Sequence, residues 1–476
     1  MKENKKSKKI GQVFTPEYLV NNMLDYIGYI GFHIIRKHVI DNSCGDGAFL
    51  KQIVTRYCDE SLKAGASIES IKQELETYIH GIDIDENAFN QCITNLNRVA
   101  KEFGIENVNW DLYNQDSLAV NKFDNKMDFV IGNPPYVRVH NLEASYDEVK
   151  QYKFANGGMT DLYLVFFELG FNMLNENGKL CYITPSSWIN SVAGYNMRTH
   201  ILREQNLVSL VDLGHFQPFD GITTYTMISL FSKEKKDTTF DYYTYDGNKH
   251  CRIFCDNISL DDCYIDSQFY LSDRSSLNML RDIKMKIYPK YVEVKNGFAT
   301  LADSVFIGDD LPDSKITIRV LKASTGKWYK CLFPYDNKGK LLTPSVVLSD
   351  DNVREHFEKH KSDLLKGREA YPTFYEFGRT QALLDVSKDK IAINTLLRTG
   401  KDLKIEKVDA GCGVYSGLYI ITELELSIDA VRNILMNEEF AKYVRLLKKY
   451  KSGGYYTFST KDVQQYINYK ISLIKK

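Results

Sequence analysis

Val39-Ile40-Asp41-Asn42-Ser43-Cys44-Gly45-Asp46-Gly47-Ala48-Phe49-Leu50 is the stretch from which the fold is read. A short apolar run ends on an acid, a Gly-x-Gly turn follows, and an amphipathic segment opens at Ala48. That order describes a strand, a tight turn and a helix. Glycine lets the backbone turn sharply and lets a ligand approach with no Cβ in the way. Leu50 stands where a dinucleotide fingerprint carries its third glycine, and P-loop spacing is missing. Taken alone, such a turn is more often a plain strand-to-helix connection than a ligand site.

The same unit recurs outward. Candidate strands are Val39–Asn42, Tyr78–Ile84, Asn107–Leu112, Phe129–Gly132, Lys179–Thr184, Leu207–Leu213 and Met227–Ser232. Helical patterns run through Tyr18–Ile27, Ala48–Cys58, Ile68–Glu76, Glu86–Phe103, Leu162–Asn175 and Asn196–Glu204. Strands punctuated by helices specify a mostly parallel, doubly wound α/β sheet, whose ligands sit beyond the carboxyl ends of the strands. Asp83, at the tip of Gly81-Ile82-Asp83-Ile84-Asp85, suits the two hydroxyls of a ribose. It follows Gly47 by 36 residues (83 − 47). About 20 is usual in dinucleotide folds, and the helix Ile68–Glu76 absorbs the excess. Asp116, after the third strand, suits an exocyclic amine. A lone Asp in a turn usually caps something, but three acids after three successive strands outline a nucleoside ligand.

The fourth strand runs into Gly132-Asn133-Pro134-Pro135-Tyr136. Two prolines fix φ and remove two amide donors, so the loop is stiff and its carbonyls are left as acceptors. Asn133 adds a side-chain carbonyl and Tyr136 a flat face. Two acceptors and an aromatic plate suit a planar substrate with an NH2 group. Hydrogen bonds to that amine draw its nitrogen toward sp3 character and free the lone pair for attack on a methyl group. A proline-stiffened turn without a ligand is the bland alternative.

In this order, Asp41, Gly45-x-Gly47, Asp83, Asp116 and Asn133–Tyr136 resemble γ-class amino-methyltransferases: the adenine-N6 DNA methyltransferases of bacterial restriction-modification systems. Gln12-Val13-Phe14-Thr15-Pro16, Asp161-Leu162-Tyr163 and Thr184-Pro185-Ser186 resemble further segments of that family, so the resemblance covers residues 11 to about 232. It implies a Rossmann-like S-adenosylmethionine-dependent methyltransferase fold with a C-terminal mixed α/β target-recognition domain. By that resemblance Thr15 and Asp41 contact the methionyl part of S-adenosylmethionine, with Cys44, Gly45 and Gly47 forming the turn. Asp83 and Ile84 take the ribose side, Asp116 the adenine amine, and Asn133 borders both ligands. Asn133 and the Pro134 carbonyl hold the target N6, Pro135 stiffens the loop, and Tyr136 stacks on the base. Phe219, chosen over Phe216, closes the other face. The base must be flipped out of the duplex, at a cost of a few kcal/mol. Stacking returns about 1–3 kcal/mol per base. A cytosine-C5 mechanism needs a cysteine nucleophile, usually after proline, and no Pro-Cys occurs.

The expected domains are a catalytic one over residues 1–265 and a DNA target-recognition one over 266–476. Residues 271–476 carry 35 Lys and Arg against 26 Asp and Glu, whereas residues 1–270 carry 26 against 36. Such asymmetry points to a polyanion partner for the second part. β-like runs at Lys315–Leu321, Lys390–Asn394 and Gly417–Thr422, with helices near Asp350–Lys366 and Ile428–Lys449, make that part mixed α/β. Val294–Ile307 and Tyr375–Gln381 resemble pieces of family recognition domains, and Arg379, Thr380, Arg398 and Lys401 lie in polar loops suited to phosphates or base edges. Any single one of them, taken alone, is more often a solvated surface charge. The basic helix end Lys442–Lys451 suits dipole pairing equally well, and the run Lys2–Lys9 suits DNA or solvent.

Length 476 exceeds one ordinary core, and no run of eighteen apolar residues exists. The first ten residues lack an apolar segment behind their lysines, which argues against a secretory signal. Nine scattered cysteines suggest reduced thiols, and His250, Cys251, Cys255 and Cys263 lack paired zinc spacing, so no metal is expected. The reading is a cytoplasmic, nucleoid-associated bacterial enzyme acting as a monomer on double-stranded DNA, with no membrane partner. A cognate restriction endonuclease would be a partner that need not bind it. The alternatives are methylation of a protein glutamine amide or an RNA adenine, and a non-catalytic DNA-binding subunit.

Overall fold

Val39, Ile40 and Asp41 are buried and form β1 (Val39–Asp41), near the middle of a nine-stranded sheet in the computed structural model. The structure describes residues 14–139, 149, 151–155, 160–219, 221, 223–366, 373–422 and 426–475. Gln12, Val13 and the run Lys2–Lys9 lie outside the described residues. Before β1 comes α1 (Glu17–Ile27), which buries Leu19, Val20, Met23, Leu24 and Ile27 and stops at Gly28, a left-handed residue. After β1 come α2 (Ala48–Lys63), α3 (Ile68–Tyr78), β2 (Ile79–Asp83), α4 (Glu86–Glu102), β3 (Asp111–Asn114) and β4 (Met127–Gly132). Then follow α5 (Leu162–Met173), β5 (Leu174–Pro185), α6 (Tyr195–Glu204), β6 (Leu207–Asp212), β7 (Thr226–Ser232), β8 (Thr239–Asp246) and β9 (Cys251–Ser259).

The strand order is β3-β2-β1-β4-β5-β7-β6-β8-β9. Strands β1 to β5 pair in parallel, and β7 enters antiparallel to both β5 and β6. The chain leaves β1 toward β2 and β3 and returns to β4 on the other side of β1. That reversal opens a crevice beyond the carboxyl ends of β1 and β4. The core on one face joins Leu19, Val20 and Met23 of α1 to Phe49, Leu50, Ile53 and Val54 of α2 and Leu96 of α4.

In this first part of the chain two elements differ from the sequence expectation. The third strand starts at Asp111 rather than Asn107. Asn107 has a φ of 57°, a left-handed conformation that a strand cannot contain. Beyond β7 the sheet gains the hairpin β8–β9, paired over Thr239–Ser259, whose alternating polar pattern gave no strong strand signal. Asn22 of α1 donates to the Tyr245 hydroxyl and the His250 carbonyl, and so ties this hairpin to α1.

Contacts divide the chain into residues 1–279 and 280–476, and the division falls inside α7 (Arg274–Met285). The second unit carries β10 (Val292–Asn296), β11 (Ile307–Gly308), β12 (Thr317–Lys322), β13 (Lys327–Leu332), α8 (Asp351–Lys359), β14 (Lys390–Ile393), β15 (Ile405–Val408), β16 (Gly413–Tyr415) and β17 (Leu418–Thr422). They make two four-stranded sheets, β10-β17-β14-β15 and β11-β13-β12-β16. The expected long helix at 428–449 is two, α9 (Ile428–Leu435) and α10 (Glu438–Leu446). Asn437 breaks it, because its side chain caps α10 through the Phe440 amide. The chain then adds α11 (Thr460–Ile474), opened by a Ser459/Asp462 capping box. Among the described residues no helix is long and apolar enough to cross a membrane.

Candidate active site

Asp41 ends β1 buried, and one of its oxygens accepts the Ser43 amide at 3.0 Å. A Cβ added to Gly132 would lie 2.6 Å from that same oxygen, so only glycine lets the end of β4 pass the carboxyl group. Burial pushes the Asp41 carboxyl up to about 8, against one amide hydrogen bond and with Asp83 nearby. The turn after it is held from the neighbouring strand. The Cys44 amide donates to the Ile82 carbonyl, and the Gly45 amide donates to Asp83 at 2.7 Å. Gly45 and Gly47 have φ of 54° and 87°, a region costly for other residues. A Cβ at Gly45 would meet nothing within 4 Å, so the turn's backbone faces open space. Cys44 is buried, and contact with Cys92 followed by burial pushes its thiol well up, which makes it packing and not a nucleophile.

The other oxygen of Asp83 accepts the Asp85 amide at 2.8 Å. Burial raises this carboxyl and the two amides pull it back down. A carboxylate has about four acceptor positions, so two remain for hydroxyl donors. Ile84 follows it 58% exposed, an apolar plate at the mouth of the crevice. Asp116 is half-buried, and its side chain caps the short turn Ser117–Ala119 through the Leu118 amide. Asn114 donates to the Asp83 carbonyl and ties the end of β3 to the end of β2.

At the end of β4, Asn133 is half-buried and its Nδ2 donates to the Thr15 hydroxyl at 3.1 Å. Pro134 is buried and Pro135 half-buried. The Tyr136 hydroxyl donates to the Ile183 carbonyl of β5 at 3.2 Å, and burial beside Tyr163 raises it well above its ordinary value. The rings of Tyr136 and Phe219 lie 6.3 Å apart at 72°, edge to face. Phe216 instead stacks on Tyr245 at 5.4 Å. An edge-to-face pair does not sandwich a planar base as it stands, so one ring must turn for both to stack.

The segment 137–139 pairs with 160–162: Val139 donates to the Thr160 carbonyl and Leu162 to the Val137 carbonyl. Behind Tyr136, the Tyr163 hydroxyl lies 3.1 Å from Ser187 Oγ. The sequence reading quoted this neighbourhood and gave Tyr163 and Ser187 no part. No local pattern could have joined them, since they stand 24 residues apart.

In the second unit, Gly378 and Arg379 donate amides to the Thr300 and Ala299 carbonyls, and Gln381 Nε2 donates to the Gly297 carbonyl. The two segments quoted from the sequence, 294–307 and 375–381, are therefore neighbours. Arg379 and Thr380 are exposed. Thr380 and Gln381 line a cleft of about 420 Å3 with Lys295, Asn296, Asp385 and Tyr419. Arg398 and Lys401 are exposed on a separate loop, which Asp402 holds by accepting the Arg398 and Thr399 amides. Arg398 also lies 4.5 Å above the Tyr455 ring. Among the described residues no three His, Cys, Asp or Glu side chains gather as metal ligands.

Residues 51–219 match the family model described as Eco57I restriction-modification methylase. The chain is 25% identical over 300 residues to the Type II methyltransferase M.BstVI of Geobacillus stearothermophilus, covering 59% of this chain and 51% of that protein. It is 23% identical over 542 residues to the Type II restriction enzyme and methyltransferase RM.Eco57I of Escherichia coli, covering 90% of this chain and 53% of that protein. The chain thus spans about half the length of these relatives. The structure of the Type IIL restriction-modification enzyme MmeI in complex with DNA shares its fold, with a TM-score of 0.63 at 15% identity over 93% of this chain and 63% of MmeI. The likeness is to restriction-modification methyltransferases, and the fold of the first unit is the Rossmann-like methyltransferase fold.

Proposed function

We propose that the chain is a site-specific DNA methyltransferase that uses S-adenosylmethionine to methylate the N6 amine of a flipped-out adenine. The observation that carries the reading is the placement of Asn133–Tyr136 at the carboxyl end of β4, next to the Asp41 turn and beside the Phe219 ring. The residues present fit the cofactor. Asp41 is a buried carboxyl group that a neighbouring cation would return to the carboxylate form, Asp83 keeps acceptor capacity for ribose hydroxyls, and Ile84 offers an apolar surface. In this reading Thr15, Cys44, Gly45, Gly47 and Asp116 complete its site. Bound there, S-adenosylmethionine supplies an electrophilic methyl group on a sulfonium.

The chain's own residues then act on the target amine. The Asn133 side-chain carbonyl and the Pro134 carbonyl accept its two hydrogens and localise its lone pair. Tyr136 stacks on the base, and Phe219 turns from its edge-to-face position to cover the other face. The nitrogen lone pair so oriented would take the methyl group that the bound cofactor supplies, and the surplus proton of the amine would leave to water. No general base is required before attack, because the amine is neutral. Arg379, Thr380, Arg398 and Lys401 of the second unit contact the DNA. We place the enzyme in the cytoplasm, on the nucleoid, as a monomeric modification enzyme of a restriction-modification or orphan system whose cognate endonuclease need not bind it.

The test is transfer of labelled methyl from S-adenosylmethionine to unmethylated genomic DNA, followed by nucleoside analysis. The wild type is expected to yield N6-methyladenine and Asn133→Ala at least about 100-fold less, in line with loss of one charge-stabilising partner. Label in protein or RNA but not in DNA overturns the DNA reading.

A further inference from the structure

An asparagine side chain has two ends of opposite character, a carbonyl that accepts and an NH2 that donates. If Asn133 is to hold a target amine, its carbonyl must face that amine, since the other end would set donor against donor. The NH2 end then needs an acceptor elsewhere. The structure supplies one: Asn133 Nδ2 donates to Thr15 Oγ1 at 3.1 Å, across 118 residues of sequence.

Thr15 is well placed to hold a side chain still. It is 8% exposed, and it stands directly before Pro16, whose carbonyl accepts the Leu19 and Val20 amides at the start of α1. That helix is anchored by five buried apolar side chains and by Asn22 on the β8–β9 hairpin. Pro16 restricts the Thr15 backbone to extended conformations and the β-branch of Thr15 limits its χ1, so the buried hydroxyl has little freedom to follow a moving Asn133.

We propose that Thr15 is a positioning residue for Asn133: its hydroxyl oxygen accepts the amide NH2 and thereby turns the side-chain carbonyl toward the substrate amine. The proposal rests on the methyltransferase reading above and adds to Thr15 a part separate from any contact with the cofactor. A hydroxyl has one proton and two lone pairs, so accepting from Asn133 leaves its proton for an acceptor on the methionyl side.

The two parts of Thr15 separate experimentally. A cofactor contact alone shows as weaker binding that saturation repairs. Positioning shows as a slower step that saturation does not repair. Thr15→Val keeps the shape and removes the oxygen, whereas Thr15→Ser keeps the oxygen. Cofactor affinity is measured by titration calorimetry with S-adenosylmethionine, and the chemical step by single-turnover label transfer to unmethylated genomic DNA at saturating cofactor. Thr15→Val is expected to bind one cofactor per chain and to transfer roughly 30- to 100-fold more slowly, the scale of a small misplacement of a reacting group. Thr15→Ser is expected within about 3-fold of the wild type on the same scale. A Thr15→Val rate equal to that of the wild type at saturation overturns the proposal, and so does a Thr15→Ser rate as low as that of Thr15→Val. Should Thr15→Val bind no cofactor, Thr15→Ala gives the same rate comparison. A wild type that labels no substrate overturns the parent reading and this one together. Label in RNA or protein overturns only the DNA reading, and the Thr15 variants then decide on that substrate.

Discussion

The two units of this chain hold their singled-out residues in opposite ways. In the first, each sits at the end of a β-strand or in a turn whose main chain is tied down: Asp83 takes the amides of Gly45 and Asp85, and Thr15 takes the amide of Asn133. In the second, Arg379, Thr380, Arg398 and Lys401 stand exposed on loops. Part of that unit's basic charge is neutralised within it, and Lys284 is buried. Lys284 and Lys449 meet at Asp462, Lys295 and Lys388 at Asp385, and Arg445 pairs with Glu438. The net charge of a segment is therefore a poor measure of the charge it shows a partner. On the proposed function, a chemical step common to many substrates is built into the sheet, and recognition is left to loops that can vary without disturbing it.

The largest expected effect breaks the ion cluster of the second unit. Asp462 is buried between Lys284 and Lys449, and Lys284 is itself buried. Asp462→Ala strands a buried ammonium and removes the α11 capping box, which is expected to cost about 3–5 kcal/mol. Denaturant unfolding of the full chain, read beside cofactor titration, checks it. If cofactor affinity collapsed with the second unit's stability, the contrast between the units would be false.

Next comes pH, where the two units carry opposite signs. Asp41 has its carboxyl pushed up to about 8 by burial, above its unfolded value. Its contribution to stability is therefore complete at low pH and is lost as pH rises through about 8. Burial pushes Asp462 up, but the two lysines pull it below the ordinary carboxylate range. Its contribution is present at neutral pH and lost as pH falls through the acid range. Melting temperatures of the cofactor-free protein between about pH 3 and 9 are expected to show Asp41→Asn removing the loss of stability that runs from about pH 4 up to about 8, and leaving the loss at lower pH in place. An unchanged slope between about pH 4 and 8 in Asp41→Asn would contradict the assignment.

The smallest effect lies on the loops. Arg379→Ala is expected to leave melting temperature and cofactor affinity unchanged and to weaken DNA binding about 5- to 10-fold. The slope of log affinity against log salt should shrink by about one. Fluorescence anisotropy on a DNA duplex at several salt concentrations reads both. An unchanged slope with weaker binding would make Arg379 a base reader and not a phosphate contact.

How far the sequence reached follows the same divide. β1 and β2 with Asp41 and Asp83 at their ends, and β4 running into Asn133, were legible because a parallel strand buried on both faces reads as an apolar run ended by a polar residue. The start of β3 was misread because the left-handed backbone at Asn107 has no apolar signature. The hairpin β8–β9 escaped for a related reason: its outer strand is half-exposed, so its polar residues look like a loop. In the second unit, α9 and α10 merged on paper because the helical period runs past Asn437, and only its side-chain cap shows the break.

By itself, the sequence determined the order of strand ends, the glycines at Gly45 and Gly47, and the stiff loop Asn133–Tyr136, because these depend on local backbone preference and on residue chemistry. Only the tertiary structure decided that Thr15 meets Asn133, that Tyr136 meets Phe219 edge to face, that Gly378 and Arg379 pair with Ala299 and Thr300, and that Asp462 draws in two lysines. Each of these joins residues far apart in the chain. Such contacts are set by how the packed elements align, and no short-range pattern encodes that.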